Sequence, residues 1–465
     1  MNSIAIPQEL KKVNEIFTEN GFKAYLVGGA VRDILRNKEG HDWDIATDAT
    51  PQQVMKIFRR VIPTGIAHGT VTIHILGKEI EATTFRTDGI YSDGRHPDSI
   101  EYAATIEEDL SRRDFTINAI AADLGDGHLV DPFGGQDDIR RRLIRTVGSP
   151  LDRFGEDGLR PVRAVRFAGQ LGFDIDPETY RALHNPAVLQ KTASISVERF
   201  RDEWCKMMAL DKPSICLKLL EKTGIMDMFI PEFRMCRGCS QSDARGYHDF
   251  DVADHIFHAV DGAPKENLAI RLAAFYHDIG KPQTRTVAEV DGLPIIHFHG
   301  HEVVSAETAS RSLVHLRFPN EIVRKVVHLV REHMFRYESC WSDAAVRRFI
   351  IRVGLDSFED LIALHVADIY GKHASPLVEG SPEWNLIAEL KSRVEKCVES
   401  RDALSLKDLC VTGNDLKEMG IPAGKHLGEI LKELFETVTE SPEMNDRDKL
   451  LSLAVNIWKE RFCCD

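Results

Sequence analysis

The sequence predicts an α+β fold, a small α/β head followed by an elongated, all-helical body. Three observations lead there. The first 125 or so residues mix strand-like alternation with helical periodicity. From about residue 140 to the end, helical periodicity dominates and no convincing strand recurs. Joints rich in Pro and Gly near 211–213, 231–246, 281–294 and 374–382 then divide the helical stretch. A chain of 465 residues holds two to four domains, and boundaries are expected at 1–139, 140–235, 236–376 and 377–465.

In the head, a helix near 7–20 leads into a strand at 23–27. Gly28 and Gly29 open a second helix, and "DWDIAT" begins the next strand. Pro51 starts the helix "PQQVMKIFRR" in the first-turn position that proline tolerates. "TVTIHIL" and "KEIEATTFR" alternate around Gly77 and Lys78 as a hairpin. "RTDGIYSDGRHPDSIEYAATIEEDL" is rich in Gly, Asp and Tyr without apolar periodicity, the composition of a mobile surface loop.

Composition excludes several classes. Apolar content of 43% and charged content of 28% are those of a soluble globular protein rather than a disordered or fibrous one. No run approaches the ~20 apolar residues of a membrane span, and the N-terminus lacks a cleavable apolar core, so a cytoplasmic protein without a membrane partner is expected. Nine scattered cysteines do not make a disulfide framework, and the single "CRGC" has no second CxxC to complete a zinc site. A net charge of −14 argues against indiscriminate nucleic-acid binding and against a DNA partner. Yet 139–170 holds eight arginines against three acids, a basic stripe in an acidic chain.

Two features of the head speak of phosphate. Asp42 and Asp44 flank a tryptophan, and on an extended segment residues i and i+2 share a face. Two adjacent carboxylates repel unless a cation lies between them, and Mg²⁺, which favours carboxylate and phosphate oxygens, suits that place. Gly28 and Gly29, at a strand-to-helix turn, let backbone approach an anion beside the positive end of a helix. In "EEDLSRRDFTINAIA", Arg112 and Arg113 suit polyphosphate, while Asp114 and Asn118 at i and i+4 of one helical face suit a ribose or a metal shell. Glu81, in "EIEATTFR", is a third candidate carboxylate.

In order and spacing, "LVGGAVRD", "DWDIAT", "RRDFTINAIA", "DPFGGQDD", "EDGLRPVRAVRFAGQLGF" and "SVERFRDE" resemble the motif series of the class II tRNA nucleotidyltransferase and bacterial poly(A) polymerase family, over residues 20–235. The resemblance implies a nucleotidyltransferase head, with Asp42 and Asp44 as ligands of two Mg²⁺ ions. It implies nucleotide binding by Gly28, Gly29, Arg32, Arg112, Arg113, Asp114, Asn118, Glu156, Asp157, Arg160, Arg163 and Arg166. Asp157 and Arg160 match the pair that reads the incoming base: a carboxylate accepts from the amino group of cytosine or adenine, and a guanidinium donates to ring acceptors. Glu156 is expected to help orient Arg160 or the helix start. Gly158, where a better helix former is usual, is expected to loosen that helix by ~1 kcal/mol. Arg86, Asp88, Arg95 and His96 fall in the loop that the family uses when specificity switches from C to A, and "DPFGGQDD" resembles its hinge. The segment 140–235 then reads as a neck that selects nucleotides and binds RNA.

A second constellation, "DHIFHAV", "FYHDIGK" and "LHVADIYG", resembles the HD superfamily pattern, filled by His255, His277, Asp278 and Asp368, with His301 and His333 completing a dinuclear site. This implies an HD domain over 236–376 that either takes Mg²⁺, Mn²⁺, Ni²⁺ or Co²⁺ and activates water on a phosphate ester or serves only as scaffold. The segment 377–465 resembles the family's helical tRNA-binding tail, in which Gly413, Gly420 and Gly424 would let amides approach RNA phosphates. The expected function is CCA addition to the tRNA 3′ end from CTP and ATP. An A-adding enzyme or a poly(A) polymerase shares the motifs, and an HD phosphohydrolase with a vestigial head is the alternative from another class.

Overall fold

The structure is a computed structural model that describes residues 2–39, 43–88, 100–242, 249–290, 293–400 and 402–462. Two compact units share the chain, residues 1–234 with 312–318, and 235–311 with 319–465.

The first unit opens with α1 (Gln8–Glu19), which buries Leu10, Val13 and Phe17 at helical spacing. Next come β1 (Ala24–Val27), α2 (Gly29–Leu35), β2 (Asp44–Thr47) and α3 (Pro51–Ile57). The last is started by a capping box between Thr50 and Gln53 with proline at its first position. β3 (Val61–Gly65), β4 (Thr70–Ile75), β5 (Lys78–Thr84), β6 (Arg86–Asp88), β7 (Ile100–Tyr102), α4 (Ile106–Ser111), β8 (Ala121–Asp123) and β9 (Leu129–Val130) complete the head. Seven strands form one sheet in the order β3-β4-β5-β2-β1-β8-β9. The expected hairpin is β4 against β5, in register from Thr70↔Thr83 to Ile75↔Lys78. Only the β2–β5 pair of this sheet is parallel, and it sets Asp44 against Glu81.

α5 (Gly135–Arg141) and β10 (Leu143–Ile144) lead to α6 (Pro150–Glu156), α7 (Leu159–Leu171), β11 (Asp174–Ile175), α8 (Pro177–Leu183), α9 (Pro186–Ala193), α10 (Val197–Met208), α11 (Ser214–Lys222) and α12 (Met226–Phe229). Gly135 in "DPFGGQDD" lies so close to the Thr116 carbonyl that a Cβ there would sit 2.1 Å from it. Asp131 accepts from the amides of Gly135 and Gln136, so the segment is a firmly seated knuckle.

The second unit contains α13 (Val252–Gly262), α14 (Leu268–Tyr276), α15 (Lys281–Thr284), β12 (Thr286–Val290), β13 (Leu293–His297), α16 (His301–His315) as far as Arg311, α17 (Asn320–Glu332), α18 (Asp343–Val353) and α19 (Leu355–His373). Helices Pro382–Glu399, Lys425–Glu440 and Arg447–Phe462 follow, the last two around a core of their own that includes Ile430, Leu434 and Leu450.

The expectation that no strand follows residue 140 is corrected twice. β10 and β11 form a two-residue parallel pair, too short to leave an alternation pattern. β12 and β13 form an antiparallel hairpin in the span 281–294 expected to be a joint. Its Val287 and Leu293 are more than half exposed and Ile296 is buried, so the hairpin offers too little inward-facing apolar surface to announce it in the sequence.

Candidate active site

β1 ends at Val27, and Gly28, at φ 71°, turns the chain into α2. A side chain at that angle would be strained, and a Cβ there would lie 3.4 Å from Arg113 Nη1 and 3.6 Å from Asp44 Oδ2. The glycine thus brings bare backbone beside a carboxylate and a guanidinium. Asp44 heads β2, and its parallel partner Glu81 points to the same side of the sheet; both are exposed. Asp42 lies outside the described residues.

Around this edge opens a cavity of about 670 Å³ lined by Gly28, Gly29, Arg32, Asp44, Arg112, Arg113, Asp114, Asn118, Asp157, Arg160, Arg163 and Arg166. Of the residues expected to bind nucleotide, only Glu156 is missing from that wall. Leu159, Phe167, Gln170, Arg199 and Lys206 also line it. Eight cationic side chains face three carboxylates, the surplus that a polyanion needs.

Each cation is oriented. Arg32 donates to Asn118 Oδ1 at 2.8 Å and to both oxygens of Asp33. Arg163 Nη2 lies 2.6 Å from Asp114 Oδ2, and Asp114 also accepts from Asn118 Nδ2 at 3.2 Å. Asp114 and Asn118 therefore meet, but across a turn into a short 3₁₀ segment, Thr116–Asn118, and not on one α-helical face. Burial alone would raise the Asp114 carboxyl, but the Arg163 guanidinium, with Arg160 and the Asn118 amide, outweighs it and holds the group at about 2. Arg166 is gripped by the buried Glu203 and lies 4.0 Å from the centre of the Phe167 ring.

The nucleotide-selecting segment differs from its expected form. Asp157 and Arg160 do not share a helical face, because the chain breaks between α6 and α7 and Asp157 is extended there, at φ −134° and ψ 115°. Asp157 Oδ1 accepts from the Leu159 amide at 2.9 Å, and both its oxygens accept from Arg199, at 3.0 and 2.8 Å. Arg160 pairs with Glu156 and donates to the carbonyls of Arg153 and Arg112. Gly158 also reads differently. A Cβ there would sit 2.4 Å from the Lys191 carbonyl, so close approach of α9, and not loosening of the helix, accounts for the glycine. Arg199, which lies in "SVERFRDE", is a lining residue that the motif reading did not assign to the nucleotide, as are Leu159, Phe167, Gln170 and Lys206.

Of the loop residues, Arg86 donates to the His68 carbonyl and Asp88 ends β6 opposite Ile100. Arg86 does not line the cavity. Arg95 and His96 lie outside the described residues.

In the second unit, all six expected histidines and aspartates converge. His255 Nε2 lies 3.0 Å from Asp278 Oδ2, 3.1 Å from Asp368 Oδ1 and 3.1 Å from His277 Nε2. Asp278 Oδ1 lies 3.2 Å from His301 Nε2 and 3.8 Å from His333 Nε2. Asp278 thus joins two groups with the spacing of metal ligands. The Nδ1 atoms of His277, His301 and His333 face the backbone carbonyls of Ala274, Phe298 and Val330 at 2.7–2.8 Å, which turns each Nε2 inward, towards the cluster. Burial opposes charge on His277, but Asp278 and Asp368 carry it up to about 10, whereas burial and the cation on His277 push His333 down to about 3. Lys281 and Lys372 flank the cluster, on Asp278 and Asp368, and both line its cavity of about 310 Å³. Burial raises the thiols of Cys236 and Cys239, so neither is a ready thiolate ligand.

Comparison with known proteins agrees with this geometry. The profile described as "Poly A polymerase head domain" matches residues 24–145, and "Probable RNA and SrmB- binding site of polymerase A" matches 172–236. Domain 2 of tRNA nucleotidyltransferases matches 301–454. The CCA-adding enzyme of Lactobacillus johnsonii is 34% identical over 444 residues, 94% of this chain and 93% of that protein. The CCA-adding enzyme of Enterococcus faecalis is 33% identical over 463 residues, 98% of each. The crystal structure of the Bacillus stearothermophilus CCA-adding enzyme in complex with CTP superposes with a TM-score of 0.74 at 30% identity, covering 98% of both chains. Near-complete coverage by such relatives, at 30% identity or more, means that the chain belongs to the CCA-adding enzymes, a family of nucleotidyltransferases.

Proposed function

We propose that the chain completes the 3′ end of tRNA by adding CMP and AMP from CTP and ATP without a nucleic-acid template. The observation that carries this is the single cavity in which the Gly28–Gly29 turn, Asp44, the Arg112–Arg113 pair, Asp157 and Arg160 meet. A triphosphate and the base to be selected would thus occupy one enclosure. Arg112, Arg113 and the amides at the start of α2 bind the polyphosphate, and Asn118 with Asp114 positions the sugar. Asp157, held by Arg199, accepts from the amino group of cytosine or adenine, while Arg160, held by Glu156, donates to the ring. The carbonyl that uracil or guanine presents at that point meets a carboxylate and is rejected.

Asp42 and Asp44, with Glu81 beside Asp44, would hold Mg²⁺. The exposed carboxylate pair on adjacent strands supports the fit. When bound, the metal would supply charge stabilisation at the α-phosphate and lower the pKa of the RNA hydroxyl. Residues 1–139 act as head, 140–235 as nucleotide-selecting neck, 236–376 as an HD domain and 377–465 as tRNA-binding tail. The converging Nε2 and carboxylate oxygens of the second unit support a dinuclear site for Mg²⁺, Mn²⁺, Ni²⁺ or Co²⁺, and with it a phosphohydrolase activity independent of nucleotide addition.

tRNA transcripts ending before CCA, at C and at CC test the reading. With CTP and ATP all three should end in CCA. Extension only of the CC transcript would make the enzyme A-adding, and long A tracts would make it a poly(A) polymerase.

A further inference from the structure

Arg112 and Arg113 are adjacent in sequence, and two neighbouring guanidiniums repel each other unless something fixes them. Both are fixed by one residue. Asp109, one turn earlier in α4, is 1% exposed and spends one oxygen on each arginine. Arg112 donates Nε and Nη2 to Asp109 Oδ1 at 3.0 and 2.8 Å, and Arg113 donates Nη2 to Asp109 Oδ2 at 3.1 Å. The second terminal nitrogen of Arg113, Nη1, is the one that lies over Gly28 beside Asp44. Asp109 itself does not line the cavity. From the same end of α4, the carbonyls of Ser111 and Arg112 accept from Arg153 and Arg160.

We propose that Asp109 is the positioning residue of the triphosphate grip, a buried anion that holds Arg112 and Arg113 in the orientation they need before the nucleotide arrives. The inference rests on the nucleotide reading of this cavity. A longer tether would leave the two side chains to be ordered at the moment of binding, and that ordering would be drawn from the affinity for nucleotide. Because the contact concerns phosphate and not base, its loss weakens CTP and ATP alike. Because Arg160 is held here through a main-chain carbonyl, base selection survives the loss.

The test is Asp109→Asn, which keeps the shape and removes the charge. KM for CTP and for ATP should each rise about tenfold with kcat within about twofold, and the inhibition constant for inorganic pyrophosphate should rise in parallel. Misincorporation of UMP should stay unchanged. Asp109→Asn in an Arg112→Gln, Arg113→Gln background leaves no buried charge unpaired, and there it should change KM by less than about twofold. Three results overturn the proposal: unchanged KM and pyrophosphate inhibition in the single variant, a loss confined to kcat, or a full tenfold effect that persists without the two arginines. Should the single variant not fold, the arginine-free background still decides. If CTP and ATP are not substrates of the wild type at all, the nucleotide reading fails and the role of Asp109 falls with it, a result distinct from the three above.

Discussion

At the scale of the residue, charge placement governs both chemistry and stability. Asp44 is exposed at the head of β2, beside Glu81 and the Gly28 turn. Asp44→Ala should therefore abolish CMP and AMP addition together while tRNA retention on a filter changes little; turnover surviving in the variant would remove Asp44 from the metal site. Asp157 makes the sharper prediction. A base contact of this kind is worth ~1–3 kcal/mol of discrimination, so Asp157→Ala should raise UMP and GMP incorporation relative to CMP by about one to two orders of magnitude. Equal slowing of all four nucleotides would reduce Asp157 to a cap on Leu159. Asp114 carries a pH dependence. Its carboxyl sits at about 2 when folded, below the ordinary 3.8. Between those values the unfolded chain therefore binds the extra proton. The stabilisation, on the order of 2 kcal/mol, is full above pH 4 and lost as pH falls through 2. Denaturation of wild type and Asp114→Asn between pH 2 and 6 should show their difference shrinking towards acid; a constant gap would exclude the linkage.

At the scale of the element, the junction of α6 and α7 shows how local propensity and packing can oppose each other. Helix propensity alone says that Gly158→Ala stabilises, by ~1 kcal/mol. The Lys191 carbonyl, 2.4 Å from where the Cβ would lie, says the reverse. The backbone would have to move, and overpacking of this kind costs about 1–3 kcal/mol. A fall in the thermal midpoint, with nucleotide addition reduced as Asp157 and Arg160 shift, is the expected result. A rise would mean that α9 yields easily. The break before α7 also lets Arg199 of α10 reach Asp157, a contact that a continuous helix would not offer in this form.

At the scale of the whole molecule, the nucleotide cavity belongs to one compact unit and the histidine–aspartate cluster to the other. Chemistry at the two should separate. His277→Ala combined with Asp278→Ala should remove any metal-dependent phosphatase or phosphodiesterase activity and leave nucleotide addition intact. Absence of hydrolysis by the wild type with Mg²⁺, Mn²⁺, Ni²⁺ and Co²⁺ would leave the cluster a structural one.

The sequence by itself determined the fold class, the β4–β5 hairpin, the glycine turn into α2, and twelve of the seventeen residues that line the cavity. These rest on short-range rules: alternation on strands, φ > 0 at glycine, and polar residue types that only charged ligands reward. It did not determine which charge pairs with which. Arg160 takes Glu156, Asp157 takes Arg199 and Arg166 takes Glu203, and the latter two pairings join residues 42 and 37 positions apart. Nor did it reveal β12 and β13, whose inward-facing apolar surface is too small to announce them, or the need for glycine at 158, which a carbonyl 33 residues away imposes. Those features were decided by tertiary packing, because a sequence pattern records what a residue does to its own backbone and face, whereas ion pairs and close approaches depend on which distant segment folds against it.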